Sequence, residues 1–233
     1  MARITLDISM SLDGYIAGPD PSLDDPLGKG GEELHEWMLQ LAAWRSAHGL
    51  EGGETGPDAE LVEAHIASYG AVVMGRRMFS GGEGAWDDDP MANGWWGDDP
   101  PFRAPVFVVT SHPREGLEMR GGTTFHFVTD GIAAALDRAV EAAGDRDVHV
   151  AGGADVVRQV LNAGRFDEIT VHVAPSMLGS GRRLFEGIDP DRVSLEQVPM
   201  PASPAATHLR YRVTPSARRP PVRRRPAARD APA

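Results

Sequence analysis

The chain opens on an alternation. Ile4, Leu6, Ile8 and Met10 are apolar, with Thr5, Asp7 and Ser9 between them, a period of two that predicts a strand. The segment SLDGYIAGPDPSLDDPLGKGG that follows is dense in turn-forming residues and predicts a long loop. In EELHEWMLQLAAWRSA the residues Leu34, Trp37, Met38, Leu41 and Trp44 share one helical face, which predicts a continuous helix. A linker, HGLEGGETGP, leads to a second amphipathic helix from about Asp58 to Tyr69. The run AVVM at 71–74 is short and partly β-branched, a buried strand that ends where Gly75, Arg76 and Arg77 begin a helix. PVFVVTS, TTFHFVTD, DVHVAGG and DEITVHVAP predict four more strands, with helices at 131–143 and 154–163. RVSLEQV and THLRYRV, joined through a proline-containing turn, predict an antiparallel hairpin.

The sum is eight strands and at least four helices. Strands alternating with helices define an α/β protein whose largely parallel sheet is covered on both faces. No internal repeat or composition break interrupts residues 1–214, which are expected to form one domain. Residues 215–233 differ: six arginines, one aspartate and five prolines give a net charge of +5 and predict a disordered tail. With the whole chain at −11, residues 1–214 carry −16, which argues against a broad nucleic-acid-binding surface. No apolar run approaches the ~18 residues of a membrane span. The N-terminus is already a strand pattern rather than the apolar core of a signal peptide, and cysteine is absent. A cytoplasmic location is expected, and disulfides, thiol nucleophiles and cysteine-held metals are excluded.

Ligands of such sheets bind outside the carboxyl ends of the parallel strands. The residues just past each predicted strand are Ser11 to Ala17, Gly75-Arg76-Arg77, Thr110-Ser111-His112, Thr129-Asp130 and Gly152-Gly153. Small, hydroxylic and arginine residues on one edge suit a phosphorylated, ribose-containing ligand, held by helix N–H groups and arginine forks. Each has an alternative: Gly152-Gly153 as a tight turn, Arg76 and Arg77 as solvated charges, Thr129 or Asp130 as a helix cap. Asp155 complements a helix start but repels a phosphate, so its carboxylate must face away from one. His126, His149 and His172 sit mid-strand and are expected to be buried core histidines. No metal site is expected, and GxSxG is absent. The 81–104 segment, with five aspartates and three tryptophans, shapes a pocket or is a solvated acidic loop. Trp86, Trp95 or Trp96 either covers a flat ring or anchors that loop.

Five blocks in order, SMSLDGYIAGPD, VVMGRRMF, PVFVVTS, VHVAGGADVVRQVL and DEITVHVAPSMLGSGRRLF, resemble the dihydrofolate reductase-like superfamily. The closer resemblance is to the reductase domain of riboflavin biosynthesis and its stand-alone relatives, over about residues 2–213. It implies a three-layer αβα dihydrofolate reductase-like fold, with a mostly parallel eight-stranded sheet and a C-terminal antiparallel hairpin. It also implies NADPH as cofactor. Gly75, Arg76 and Arg77 would approach the adenosine phosphates, and Thr110 and Ser111 the ribose 2′-phosphate. Gly152, Gly153, Ala154, Asp155 and Val156 would hold the pyrophosphate, and Ile16 and Ala17 the nicotinamide carboxamide.

The implied activity is hydride transfer to a small heteroaromatic (pyrimidine- or pterin-like) or carbonyl substrate, by a cytoplasmic homodimer. Asp13, His172 and Glu36 are the candidate proton donors. This chain departs from the dihydrofolate reductase pattern at Met78, where that pattern has threonine, and His172 stands near its pterin threonine. The alternatives are a true dihydrofolate reductase, a catalytically weak NADPH-binding sensor or scaffold, and a protein acting through its arginine-rich tail.

Overall fold

The opening alternation becomes the middle of a nine-stranded sheet. A computed structural model describes residues 2–215, so the expected disordered tail lies, from residue 216 on, outside the described residues. Strand β1 (Ile4–Ser11) runs parallel between β7 (Asp147–Gly152) and β8 (Glu168–Ala174). From β7 the sheet continues in parallel through β3 (Tyr69–Gly75), β4 (Pro105–Val109) and β6 (Thr124–Val128). The short antiparallel β5 (Leu117–Glu118) closes that side. On the other side β8 pairs antiparallel with β11 (Thr207–Pro215), which forms the expected hairpin with β10 (Val193–Val198). All eight expected strands form; β5 is the ninth. A separate two-stranded pair joins β2 (Tyr15–Ala17) to β9 (Arg182–Arg183). A side chain at Gly181 (φ 126°) would collide with the Ala17 carbonyl, which accounts for the second glycine of LGSGRR beside β2.

Alternate residues of each strand serve opposite layers. Ile4, Leu6, Ala71, Val73, Val148, Val150, Ile169 and Val171 face helices α5 (Gly131–Ala143) and α6 (Ala154–Asn162). On the opposite face Val72, Met74, Val106, Val108 and Phe125 pack around Phe79 of α4 (Arg76–Ser80). The rest of that face is covered by α1 (Glu36–Leu39), α2 (Ala42–Ala47) and α3 (Pro57–Ser68), with Trp37, Leu41, Ala59 and Val62 in a cluster of their own. The architecture is three-layer αβα.

Two local expectations are corrected. The single helix expected over residues 32–47 is broken at Leu41, whose backbone is extended (φ −71°, ψ 137°). There the linker folds back: Ala42 N–H donates to the Glu54 carbonyl and Glu54 N–H to that of Gln40, a bridge incompatible with a continuous helix. The apolar face survives the break, because Leu34, Trp37 and Leu41 are still buried. Of the three mid-strand histidines, His149 and His172 are buried but His126 is exposed, stacked on Phe107 at the β5 side of the sheet.

Phe125 is fully buried and meets Phe79 edge to face at 4.9 Å. Phe125→Ala is expected to cost about 3–5 kcal/mol in urea unfolding. A loss below about 1 kcal/mol would mean that this layer is not close-packed.

Candidate functional site: a groove joined to a histidine-lined chamber

Along the carboxyl ends of β1, β3, β4 and β7 runs a groove of about 750 Å³. Strands end there because α4 and α6 begin there, each directed by glycine. Of the residues expected to hold a cofactor, all but Gly152 line the groove: Ile16, Ala17, Gly75, Arg76, Arg77, Thr110, Ser111, Gly153, Ala154, Asp155 and Val156. Gly152 is buried one bond behind, and its peptide bond to Gly153 is cis. A Cβ at Gly153 would meet no atom within 4 Å, so the approach to the α6 N-terminus is open. No side chain caps that terminus, which leaves its first N–H groups without partners within the helix.

The two arginines have different fates. Arg76 turns inward: its guanidinium is buried, pairs with Asp89 and Ser80, and stacks 3.5 Å from the centroid of the Trp86 ring. Burial alone would raise the Asp89 carboxyl, but hydrogen bonds from Ser80 and Arg76 outweigh it and hold the group below its ordinary range. Arg76 thus lines the groove while one of its nitrogens is committed to Asp89, and Asp89 is paired within the fold rather than solvated. Trp86 anchors the 81–104 loop, its indole N–H donating to the His112 carbonyl at 3.0 Å. Trp95 lines the groove.

Arg77 stays at the groove, paired with Glu83 and, at 3.1 Å, with Asp155. Asp155 therefore does not simply face away. It lines the groove and is matched by Arg77 and by Arg158 on its own helix. Arg182 of β9, which the sequence reading did not single out, supplies a further cation to the lining. Thr110 is buried and its hydroxyl accepts the His112 N–H at 3.1 Å.

Where the groove passes between β1 and β7 it shares Ile8, Ser9, His35, Met78 and Ala151 with a second cavity of about 250 Å³. This chamber lies under α1 and α3, on the sheet face where β1 presents Thr5, Asp7 and Ser9. Strand register sets Thr5 beside His149 and Ser9 beside His172, so the polar residues of three strands share one face. Asp7, His35, His65, His149 and His172 line it, together with Trp37, Trp44 and Tyr69. Asp7 accepts from His172 Nε2 at 2.9 Å and lies 3.8 Å from His65 Nδ1. Burial would push the Asp7 carboxyl up. His65 and His172 outweigh it and hold the group well below the usual carboxylate range. Burial, reinforced by His65, pushes His149 down to about 3, so its ring is neutral. Nδ1 of His149 and Nδ1 of His35 are buried without a hydrogen-bond partner among the described residues. Unpaired polar atoms on a cavity wall are what a polar ligand would satisfy.

Of the three expected proton donors, only His172 reaches the chamber. Asp13 lies outside both cavities, its carboxylate accepting the Ser11 hydroxyl at 2.6 Å and the N–H groups of Leu178 and Gly179 at 3.1 and 2.7 Å. It ties the loop after β8 to the loop after β1. Glu36 is exposed on α1 and lines neither cavity, because its neighbours His35 and Trp37 take the inward positions. The carboxylate that does reach the chamber is Asp7. Its signal was present as a polar residue in the alternation of β1, but nothing in one strand tells which polar face is buried. Among the described residues, no cluster of three or more His, Asp or Glu side chains is arranged to hold a metal ion, and no helix is long and apolar enough to cross a membrane.

The mostly parallel, three-layer αβα sheet is the dihydrofolate reductase-like fold that the sequence resemblance implied. Residues 2–209 match the RibD C-terminal domain family, and the chain belongs to that family. Its fold is similar to that of a protein from Shewanella sp. PV-4 provisionally assigned to riboflavin biosynthesis. That likeness has a TM-score of 0.60 at 21% identity and covers 92% of this chain and 99% of that one. It is also similar to the diaminohydroxyphosphoribosylaminopyrimidine deaminase/5-amino-6-(5-phosphoribosylamino)uracil reductase of Thermotoga maritima (TM-score 0.52, 17% identity, 91% of this chain and 57% of that one). RibD of Acinetobacter baumannii is a third (TM-score 0.53, 16% identity, 92% and 58%). The chain thus spans a little over half the length of these last two. No curated protein sequence matches it.

The depression of His149 sets a pH dependence. Its folded value, about 3, lies below the ~6.5 of an unfolded histidine, so the unfolded chain binds the proton first. Its contribution is complete above ~6.5 and is lost as pH falls toward the folded value. Between pH 6.5 and 5 the loss is about 2 kcal/mol from this residue. Urea unfolding of His149→Gln should show a correspondingly shallower acid limb than the parent, and identical limbs would contradict the buried neutral ring.

Proposed function

We propose that the protein is a nicotinamide-dependent reductase, preferring NADPH, of a small pyrimidine-like nitrogen heterocycle. The observation that carries this reading is the shared wall of Ile8, Ser9, His35, Met78 and Ala151 between a long groove and a small polar chamber. A cofactor along the groove and a ring in the chamber would meet there. The names of the Thermotoga and Acinetobacter relatives, a uracil-type reductase and RibD, support the substrate class.

The groove residues suit the cofactor. The open N-terminus of α6 at Gly153 and Ala154 would hold the pyrophosphate, and Arg77, Thr110 and Ser111 the adenosine phosphates. Ile16 and Ala17 of β2 would hold the carboxamide, on a strand fixed by β9. A bound dihydronicotinamide supplies hydride. The protein binds and orients two flat rings, excludes water with Trp37, Met78 and Tyr69, and supplies the proton from the Asp7–His172 side of the chamber. Glu36, being exposed, does not furnish the helix carboxylate of a folate reductase; the chamber carboxylate comes from a strand.

Cofactor preference tests the groove. By quenching of tryptophan fluorescence, NADPH is expected to bind at least tenfold more tightly than NADH. Arg77→Ala should erase about 1.4 kcal/mol of that difference, a tenfold change. Equal binding of both cofactors, or an unchanged preference in Arg77→Ala, would contradict the assignment. NADPH oxidation measured against pyrimidines, pterins and quinones then separates a reductase from a cofactor-binding sensor, which would bind and not turn over.

A further inference from the structure

Behind the chamber wall four titratable groups form a line. Asp7 Oδ1 faces His172 Nε2 at 2.9 Å, and His172 Nδ1 faces His208 Nδ1 at 2.7 Å. His208 Nε2 in turn faces Asp58 Oδ1 at 3.2 Å, and the other oxygen of Asp58 accepts the Ser203 hydroxyl at 2.6 Å. The line crosses β1, β8 and β11 and ends on α3. Trp37 packs over both imidazoles, with ring centroids at 4.7 and 5.1 Å, and its own N–H is taken by Ser9. The middle is enclosed and both ends are partly exposed. The side chains of His172 and His208 are 3% and 0% exposed, those of Asp7 and Asp58 18% and 15%.

These contacts fix a proton count. An ionised carboxylate only accepts, so both Nε2 atoms carry hydrogen. Two Nδ1 atoms 2.7 Å apart form a hydrogen bond only when one is protonated and the other bare. Three protons on two rings leave one imidazolium. Burial, and then His172, lowers the proton affinity of His208. The other ionisable groups around the pair are His65 of α3, 3.8 Å from Asp7, and His149 and His35 on the chamber wall. Arg210 of β11 is engaged with Thr170 and Glu168. Among the described residues none of these bonds to the four imidazole nitrogens.

We propose that Asp7, His172, His208 and Asp58 are a buried proton store that supplies one proton to a substrate in the chamber, with Asp7 the group that touches it and the Asp58 charge the group that keeps the store filled. The use of the proton rests on the reductase reading; the proton count does not. Reduction of a C=N or C=O bond places a hydride, with its two electrons, on carbon, and a dihydronicotinamide is oxidised in supplying it. The ionised Asp7 carboxylate takes the proton of His172 Nε2 and passes it to the heteroatom, so Asp7 ends as it began. The imidazole pair falls from three protons to two, and after product leaves a solvent proton returns through Asp7 to His172 Nε2. Asp7 is thus the catalytic residue, and His172, His208 and Asp58 hold the proton that it passes on.

The test is ¹⁵N NMR of the full-length, ligand-free protein with labelled histidine. At neutral pH three of the four ring nitrogens of His172 and His208 should carry hydrogen, with a far-downfield proton between the two Nδ1 atoms. Asp58→Asn, which keeps the shape and removes the charge, should lower the pH midpoint at which the third proton leaves by about one unit. Two protons on the pair, or an unmoved midpoint, overturns the proposal. With NADPH and a reducible pyrimidine, Asp58→Asn should slow turnover about tenfold and shift the pH-rate limb by the same unit, with the NADPH Kd unchanged. Wild-type rates and pH profiles in both Asp58→Asn and Asp7→Asn also overturn it. A wild-type protein that reduces nothing overturns the reductase reading instead, while the proton count still stands or falls by NMR.

Discussion

A carboxylate held inside a sheet is the constraint on which the site depends. Asp7 sits mid-strand in β1, between the two strands that carry His149 and His172. An isolated charge there would be costly to bury, and its imidazole partners make it tolerable. Those partners arrive only when β7, β8 and α3 are all in register, so assembling the sheet and building the chamber are one event. The opposite face of the same strands carries Ile4, Leu6, Val148, Val150 and Val171 against α5 and α6. One layer thus supplies cohesion and the other chemistry.

The groove depends on a second commitment of charge. Arg76 is given to Asp89 and Trp86, which fastens the 81–104 loop beside β3, while the neighbouring Arg77 remains at the groove. Both arginines line the groove, and Arg76 also anchors the loop. Asp155 and Glu83 occupy Arg77 in the ligand-free chain, so an anion entering the groove exchanges partners with them rather than meeting a bare cation. That exchange favours discrimination between ligands over raw affinity.

Much of the fold was legible in the sequence because it lay in short-range patterns. The two-residue alternation of β1, the apolar run of β3 and the periodicity of α5 and α6 each reappear within a residue or two. The groove edge was legible for the same reason, since residues just past parallel strands share one side of a sheet. The broken helix at Leu41 was not, because its cause is pairing with Glu54 across a glycine-rich linker. Nor was the role of Asp7, or the loss of Asp13 and Glu36 from the chamber. Those depend on which polar strand face lies under α3 and on which side of α1 turns inward, and both are tertiary facts. Glu36 and Trp37 are neighbours in sequence, yet one is exposed and the other sits over two imidazoles.

The account stands on a cofactor in the groove meeting a substrate ring at the wall shared with the chamber. A crystal structure of the protein soaked with NADPH measures this directly. The account predicts the pyrophosphate at Gly153 and Ala154, and the nicotinamide against Ile8, Ser9, Met78 and Ala151 with one face open to the chamber. A nicotinamide bound away from that wall, or a groove that stays empty at saturating NADPH, would contradict it.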